Sequence, residues 1–353
     1  MKNFYSLEVS EIISLTNDSV CIHFDVSSID NNIFNFVAGQ YITLQHSING
    51  EDVRRSYSIS CIPNQQKIEI GVKLVQNGLM STFLTKDLKI GDKINVMPPT
   101  GNFMLTTDNS NSKHYMAICA GSGITPALSM IQDVLYNEPN SSFTLLYGNK
   151  NRSSVMFMDD ILRLEKDFQS QFLTYHFFSR ENVQNCINGR INSSNLTTLF
   201  KDNPSYKNID EFFICGPGEM IDTVSDFLRS MDIDSSKIQF ERFTSTTKTA
   251  DIKNDNVSEI KSNVSVCVDG DDFEFTLSST GDSILDAAMN EGADVPFSCK
   301  GGVCCVCKAK LIEGTVSMEQ NFSLSQEEVE QGYILTCQSH PTSDNVVVDF
   351  DEI

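Results

Sequence analysis

Four cysteines near the C-terminus have the types and spacing to bind an iron–sulfur cluster. Cys299, Cys304 and Cys307 are separated by four and then two residues, and Cys337 follows 30 residues later. This is the plant-type ligand spacing of a [2Fe–2S] cluster. The alternative is a zinc site, because closely spaced cysteines also bind zinc. Zinc sites usually pair two Cys-x-x-Cys segments, whereas three of these cysteines share one loop.

The residues between the predicted ligands support the cluster. Thiolates and bridging sulfides give the cluster a negative charge, so backbone N–H groups must approach sulfur. Gly301 and Gly302 permit this approach because glycine adopts backbone conformations that other residues resist. Cys305 also lies in this loop. Since the loop can use only four ligands, we predict that Cys305 is not one of them.

A second group of residues could bind a flavin nucleotide. Arg55 lies two positions before Tyr57, so on a strand both side chains share one face. The guanidinium can pair with a phosphate while the phenol ring lies against a flat heterocycle. We expect Gly78 to open a short helix whose free N–H groups, with the Ser81 and Thr82 hydroxyls, face a pyrophosphate. Taken singly, Tyr57 can equally fill a sheet and Arg55 can be a solvated charge.

A third group follows an apolar strand predicted at residues 115–119. Gly121 and Gly123 let the next turn approach a pyrophosphate. Pro126 suits the first position of a helix, predicted at residues 127–135, because its missing N–H is not needed there.

Ser179 and Arg180 follow another predicted strand and could hold the 2′-phosphate of NADPH. A carboxylate at that position would favour NADH instead, and Glu181 is adjacent. We therefore predict NADPH, with NADH possible.

The elements that position these residues divide the chain into three domains and a linker. Residues 1–106 show short alternating segments typical of an antiparallel β-barrel. Residues 107–245 alternate strands with helical segments, which predicts an α/β domain with a parallel sheet. Residues 246–263 are polar and predicted to be a flexible linker. The last domain covers residues 264–353, with strands at 264–268, 273–277 and 346–350 and a helix at 284–290.

Length and charge limit the partners. The 353 residues exceed what one core usually serves, and the net charge of −21 disfavours nucleic acid or an anionic membrane. From residue 264 onward there are 17 acidic and 3 basic residues, a net charge of −14. This predicts a docking face for a basic partner, although plain solubility explains it equally well. The sequence shows no membrane span or secretion signal, so we expect a cytoplasmic protein with reduced cysteines.

The first domain resembles the flavin barrel of the ferredoxin–NADP reductase superfamily, whose signature matches Arg55, Tyr57 and Ser58. The resemblance implies that Arg55 holds the flavin phosphate, Tyr57 stacks on the isoalloxazine and Ser58 bonds near flavin N5. The remaining barrel residues that it implies for cofactor binding are Val72, Lys73, Gly78, Met80, Ser81 and Thr82. The second phosphate site at residues 78–82 favours FAD over FMN.

The superfamily's order continues through the rest of the chain. In it, the loop containing Gly121, Gly123 and Thr125 binds the nicotinamide nucleotide, and the threonine faces the flavin. The resemblance places Cys215 beside the nicotinamide carbon that carries the hydride, on a turn with Gly216 and Pro217. Glu241 and Phe243 match the acid and aromatic residue that close over the flavin. Because this chain continues beyond Phe243, the role of that ring is open. The C-terminal domain resembles a β-grasp ferredoxin.

Together these features are similar to the reductases of oxygenases, including those of the phenylacetyl-CoA epoxidase type. The resemblance implies an enzyme that passes electrons from NADPH through FAD and the [2Fe–2S] cluster to a partner oxygenase, with Ser58, Thr125, Cys215 and Glu241 as its catalytic residues. One alternative is a reductase for another metalloprotein, such as a hybrid-cluster protein. Another is a redox sensor without enzymatic activity.

Overall fold

The computed structural model describes residues 4–30, 32–243 and 259–352. The chain forms two compact units. The N-terminal unit is Phe4–Phe243, and the described part of the C-terminal unit is residues 259–352. Most of the predicted linker lies outside the described residues. Over the described ranges, no helix has the length and apolar character needed to cross a membrane.

The first half of the N-terminal unit is antiparallel. Its elements are β1 Tyr5–Thr16, β2 Ser19–Asp25, β3 Tyr41–Ile48, β4 Glu51–Ser58, β5 Lys67–Lys73, α1 Leu79–Thr82 and β6 Lys93–Thr100. The strands pair in the order β4-β3-β6-β1-β2-β5, and a bridge between Ile59 and Ile70 joins the two ends. On β1, Leu7 and Val9 are buried while Glu8 is exposed, because alternate residues face opposite sides of the sheet. The predicted antiparallel barrel is confirmed.

The second half is an α/β domain. Its elements are β7 His114–Ala120, α2 Ile124–Asn137, β8 Ser142–Asn149, α3 Met158–Asp167, β9 Phe172–Phe178, β10 Ile187–Asn188, α4 Ser193–Asp202, β11 Glu211–Cys215, α5 Gly218–Ser230 and β12 Ile238–Glu241. All strands are parallel, in the order β10-β9-β8-β7-β11-β12. The order reverses between β7 and β11, and ligands bind such sheets where the order reverses, beyond the carboxyl ends of the strands. The predicted parallel sheet is confirmed.

Helix α2 differs from its prediction. It begins at Ile124 and follows a short 3-10 turn, Gly121–Gly123. Pro126 is therefore the third helical residue, and its predicted first position is wrong. The proline is tolerated there because the first four N–H groups of a helix have no partner within the helix.

The barrel and the parallel sheet are held together by shared packing and hydrogen bonds. Phe103 of the barrel belongs to the same buried cluster as Met130 of α2. The Ser129 hydroxyl donates to the carbonyl oxygen of Cys61 at 2.6 Å, and Gln132 Nε2 donates to the carbonyl oxygen of Ser60 at 3.0 Å. These contacts fix the barrel against the helix that follows the glycine turn.

The C-terminal unit is a mixed sheet with a short helix against it. Its elements are β13 Lys261–Val268, β14 Asp271–Ser278, α6 Ile284–Asn290, β15 Lys308–Glu313, β16 Val316–Met318, α7 Gln326–Glu330, β17 Tyr333–Leu335, β18 Ser339–Pro341 and β19 Asn345–Asp349. Five strands pair in the order β14-β13-β19-β15-β17, and β16 pairs with β18. Helix α6 buries Ile284, Leu285 and Ala288 in the core. The predicted β-grasp ferredoxin fold is confirmed.

Strand β13 begins inside the segment that the sequence predicts to be linker. Lys261, Ser262 and Asn263 contain no apolar side chain, so composition gives no strand signal. The structure nevertheless buries Ser262 completely, and its hydroxyl donates to the carbonyl oxygen of Ser343 at 2.6 Å. Pairing with the neighbouring strand therefore extends β13 three residues beyond its predicted start at residue 264.

Candidate cofactor sites

The four predicted cluster ligands form two contacting pairs in the C-terminal unit. The Cys304 thiol donates to Cys299 Sγ at 3.0 Å, and Cys307 interacts with Cys337 in the same way. The N–H of Gly301 also donates to Cys299 Sγ at 3.3 Å. The Cys304 thiol, together with nearby backbone N–H groups, lowers the pKa of Cys299 to about 6. Four convergent sulfurs and N–H groups aimed at sulfur fit a [2Fe–2S] cluster.

The backbone of the cluster loop takes conformations that only some residues tolerate. Gly302 has φ +71°, and a Cβ added there would lie 2.9 Å from the carbonyl oxygen of Gln320. Glycine is therefore required at this position, as the sequence predicts. Lys300 also has a positive φ of 49°, and its ammonium pairs with Asp286 of α6 at 2.6 Å. That ion pair ties the loop to the helix beside it.

The thiol of Cys305 has a hydrogen-bond acceptor outside the group of four predicted ligands. Its thiol donates to the carbonyl oxygen of Ser323 at 3.3 Å, and the side chain is buried in the core of the C-terminal unit. A thiol engaged in this way supports the prediction that Cys305 is not a ligand.

In the N-terminal unit, three of the four predicted catalytic residues, Ser58, Cys215 and Glu241, meet beside the point where the strand order of the parallel sheet reverses. Cys215 pairs in register with Glu241 at the ends of β11 and β12. A Cβ added to Gly123 would lie 2.1 Å from the carbonyl oxygen of Cys215, so the glycine turn and the Cys-Gly-Pro turn are in direct contact. The Ser58 hydroxyl at the end of β4 donates to Glu241 Oε2 at 3.2 Å. We call this set, with Thr125, the junction.

The electrostatics of the junction follow from burial. Glu241 is half-buried, and its loss of hydration raises the pKa of the carboxyl to about 8, although the hydrogen bond from Ser58 acts in the opposite direction. Burial, with the nearby Glu241 carboxylate, also raises the pKa of the fully buried Cys215 thiol. At neutral pH the junction therefore favours a protonated carboxyl and a neutral thiol.

Thr125 is tied to both halves of the unit. Its hydroxyl donates to the carbonyl oxygen of Ser122 at 3.0 Å. On the barrel side, a Cβ added to Gly71 would lie 2.7 Å from the Thr125 methyl group. Only a glycine on β5 allows the threonine to approach the barrel this closely.

The predicted flavin residues of the barrel differ in their exposure to solvent. Arg55 is exposed, with Nη1 donating to the carbonyl oxygen of Arg54 at 2.7 Å, and Tyr57 is half-buried with its phenol pKa raised by burial. Val72 and Met80 are 0% and 1% exposed, so both belong to the barrel core and offer no surface to a cofactor. Lys73 pairs with Asp18 at 3.3 Å. Arg55 and Tyr57 therefore present the better surface for a flavin.

The turn at Gly78 is held by hydrogen bonds from the side chains that follow it. The hydroxyls of Ser81 and Thr82 donate to the carbonyl oxygen of Gly78 at 3.3 and 2.7 Å. Ser81 is buried and its oxygen also accepts the N–H of Val75 at 3.1 Å, whereas Thr82 is exposed. Helix α1 that follows is only four residues long. Thr82 is thus the more accessible hydroxyl of the pair.

The predicted 2′-phosphate residues, Ser179 and Arg180, lie in the loop after β9, which is hydrogen-bonded to the loop after β8. The N–H of Ser179 donates to Asn149 O at 3.0 Å, and that of Arg180 donates to Lys150 O at 2.8 Å. The N–H of Arg152 donates to the Glu181 carboxylate at 2.8 Å. Glu181 therefore holds the loops together, a role that the sequence does not indicate.

Sequence reasoning missed two features near these sites. Lys150 and Arg152 are exposed cations beside Arg180, and their position just after a predicted strand end is the signal that identifies them. Arg242, next to Glu241, is buried and forms an ion pair with Asp222 of α5. No local sequence signal marks that pair because its partners are 20 residues apart.

Comparisons with known proteins agree with this arrangement. Three family profiles match the chain: an oxidoreductase FAD-binding domain at residues 6–105, an oxidoreductase NAD-binding domain at 117–226, and a 2Fe-2S iron-sulfur cluster binding domain at 266–342. The last profile favours the predicted cluster over the zinc alternative.

Two relatives of known function align with this chain along nearly its whole length. The chain is 38% identical to one of the subunits of 1,2-phenylacetyl-CoA epoxidase from Escherichia coli, over 99% of both chains. It is 31% identical to the ferredoxin reductase component of 3-ketosteroid-9-alpha-monooxygenase from Mycobacterium tuberculosis, over 98% of this chain and 96% of the relative. The fold matches phthalate dioxygenase reductase with a TM-score of 0.61 and 24% identity, over 98% of both chains.

Proposed function

This chain belongs to the family of flavin- and [2Fe–2S]-containing reductase components of oxygenases, and on that premise we propose that it takes electrons from NADPH and delivers them to an oxygenase of the phenylacetyl-CoA epoxidase type. One chain holds both the junction and the four-cysteine loop, and that observation carries the proposal. When bound, the nicotinamide nucleotide and FAD supply two-electron chemistry, and the cluster supplies single-electron transfer.

In this proposal the junction residues position reactants rather than react themselves. Ser58 orients the Glu241 carboxyl through their 3.2 Å hydrogen bond, and burial keeps that carboxyl protonated at neutral pH. Gly123 lets the glycine turn contact the turn at Cys215, which holds the two turns proposed to bind the nucleotide against each other. Arg55 and Tyr57 hold the flavin from the barrel surface.

The preference for NADPH is supported by charge. Lys150, Arg152 and Arg180 place three exposed cations on two loops that are fixed together. The nearby carboxylate of Glu181 accepts a backbone N–H, which offsets part of its repulsion of a phosphate. These cations would bind the 2′-phosphate of NADPH, and NADH has no phosphate at that position.

We propose three domains: residues 1–106, residues 107–245, and a last domain that ends at residue 353. The sequence predicts that the last domain starts at residue 264, and we move that start to Lys261, the first residue of β13. The linker lies between the second and the last domain. The cytoplasmic location stays a prediction from cysteine usage.

The test of function compares two electron acceptors. With NADPH, the full-length protein should reduce both ferricyanide, which accepts electrons from reduced flavin, and cytochrome c, which needs the cluster. Replacing Cys307 with serine should abolish cytochrome c reduction and leave ferricyanide reduction within about twofold. A redox sensor would show slow reduction of both acceptors in the unmodified protein. Co-purification with a diiron oxygenase from the native cell would then identify the acceptor, and recovery of a hybrid-cluster protein instead would contradict the oxygenase assignment.

A further inference from the structure

A cavity of about 720 Å³ lies within the N-terminal unit between the barrel and the α/β domain. Strands β1, β2 and β5 supply one wall, and helices α2 and α3 supply the other. Among the described residues that line it, none belongs to the candidate cofactor residues named above. The cavity is therefore separate from the surfaces assigned to flavin, nucleotide and cluster.

Three side chains with metal-binding atoms meet on the barrel wall of this cavity. Cys21 and His23 are two residues apart on β2 and so share one face of the sheet. Glu69 lies directly opposite His23 on β5. The sulfur, an imidazole nitrogen and a carboxylate oxygen all lie within 4.8 Å of one another. Because paired strands carry the three groups, the sheet fixes the spacing of their backbone positions.

The imidazole of His23 is oriented as a metal ligand would be. Its Nδ1 lies 3.1 Å from Oε2 of Glu11 on the neighbouring strand β1, which leaves Nε2 directed toward Glu69. A carboxylate bonded to the far nitrogen is the usual outer partner of a metal-binding histidine. Nε2 and Glu69 Oε1 are 3.8 Å apart, which is too long for a hydrogen bond.

We propose that Cys21, His23 and Glu69 bind a divalent transition metal, with Zn²⁺ as the best match. Two ligands of one tetrahedral zinc lie about 3.3 to 3.7 Å apart, given metal–ligand distances of about 2.0 to 2.3 Å, so the three ligand atoms would move together by at most about 1.5 Å. A sulfur and an imidazole select zinc over magnesium or calcium, which prefer oxygen. Thiolate and carboxylate together balance the charge of the ion.

The fourth coordination position would face the cavity. Three protein ligands and one open position are typical of zinc sites that accept water or a small ligand. Cys21 and His23 are 3% and 7% exposed, so water or a small ligand would reach the ion through the cavity.

Lys67 competes with the proposed metal ion for the carboxylate of Glu69. Its ammonium forms an ion pair with Oε1 of Glu69, the same oxygen that faces His23. The Lys67 side chain is 46% exposed, so it can swing into solvent when a cation takes its place. Replacing Lys67 with glutamine should therefore tighten zinc binding, because the carboxylate loses a competing cation.

The experiment uses the full-length protein with its cluster loaded, confirmed by two irons per chain, so that the cluster cysteines are occupied. Zn²⁺ is titrated in competition with a chromophoric chelator, and X-ray absorption is measured at the zinc edge, which iron does not obscure. We expect one zinc per chain with one sulfur at about 2.3 Å and the other ligands nitrogen or oxygen at about 2.0 to 2.2 Å.

Substitutions assign the ligands. Cys21→Ser, His23→Gln and Glu69→Gln should each weaken binding at least tenfold, with flavin and cluster absorbance unchanged. Cys267→Ser is the matched control, because Cys267 lies beside Asp349 and Asp351 at a more exposed site in the C-terminal unit. Absence of stoichiometric zinc, a shell of four sulfurs, or an affinity in the three variants equal to that of the unmodified protein would overturn the proposal.

Discussion

The cluster loop and the junction are assembled in different ways. Three cluster ligands lie within nine residues and the fourth follows 30 residues later, so one loop and one short segment bring all the sulfurs together. At the junction, Ser58 and Glu241 are 183 residues apart and meet only because the barrel packs on the parallel sheet. The difference suggests that the cluster site depends on its own ligands, whereas the junction depends on packing that its residues do not themselves supply.

The two sites also differ in how glycine is used. At the cluster, Gly302 is needed for a left-handed backbone and a close approach to Gln320. At the junction, Gly123 is needed because two turns from different strands touch. The first requirement arises within a loop, and the second arises between elements. Substitutions can therefore separate the two sites.

The largest effect is expected at the cluster. Serine at Cys299, Cys304, Cys307 or Cys337 should remove the cluster signal in visible absorbance and electron paramagnetic resonance, because each supplies a ligand. Cys305→Ser is the matched control, since its thiol bonds to the carbonyl oxygen of Ser323 instead. Loss of the signal in Cys305→Ser would show that the ligand assignment is wrong.

The next effect is at the contact between turns. Gly123→Ala places a Cβ 2.1 Å from the Cys215 carbonyl oxygen, so one of the two turns must move. We expect flavin reduction by NADPH, measured by stopped flow, to fall at least a hundredfold while the cluster signal is unchanged. Gly91→Ala is the control, because Gly91 lies in a barrel turn and is not one of the candidate cofactor residues: its Cβ would meet nothing within 4 Å, and only its φ of +89° costs about 1 kcal/mol. Equal losses in the two variants would argue against a specific contact.

A smaller effect concerns the nucleotide. Arg180→Ala should raise KM for NADPH by about ten- to hundredfold, equivalent to roughly 1.5 to 3 kcal/mol for one charge-assisted contact. The KM for NADH should change little. Arg229→Ala is a suitable control because Arg229 pairs with Asp226 on the surface of α5. Equal changes for both nucleotides would contradict a 2′-phosphate site at Arg180.

The smallest effect is the pH dependence of the junction. Because the folded-state pKa of Glu241 is raised from 4.5 to about 8, its protonated form stabilises the fold below about pH 4.5, and that stability is lost as pH rises toward 8. Glu241→Gln should match the unmodified protein near pH 5 and be more stable near pH 8, by on the order of 1 to 2 kcal/mol after allowing for partial exposure. Thermal unfolding followed by flavin fluorescence measures this difference.

Ser58→Ala tests the pKa of the Glu241 carboxyl by removing its hydrogen-bond donor. The Ser58 hydrogen bond lowers the pKa of Glu241, so its loss should raise that pKa further and move the pH dependence upward. An unchanged profile in both variants would show that Glu241 does not titrate in this range.

The sequence alone determined the features that depend on local spacing. The cysteine pattern predicts the cluster, and the alternating segments predict the antiparallel barrel and the parallel sheet. The boundaries of the elements could not be predicted as well from the sequence. Helix α2 begins three residues before its predicted start, and β13 begins in a polar segment because Ser262 is buried by its partner strand.

Tertiary structure decided the features that join distant residues. The bond from Ser58 to Glu241, the contact of Gly123 with Cys215 and the ion pair of Arg242 with Asp222 all cross between elements. The meeting of Cys21, His23 and Glu69 depends on strand register, which sets Glu69 opposite His23. Spacing along a chain fixes which side chains share a strand face or a loop, but only packing and register fix which of them meet across the fold.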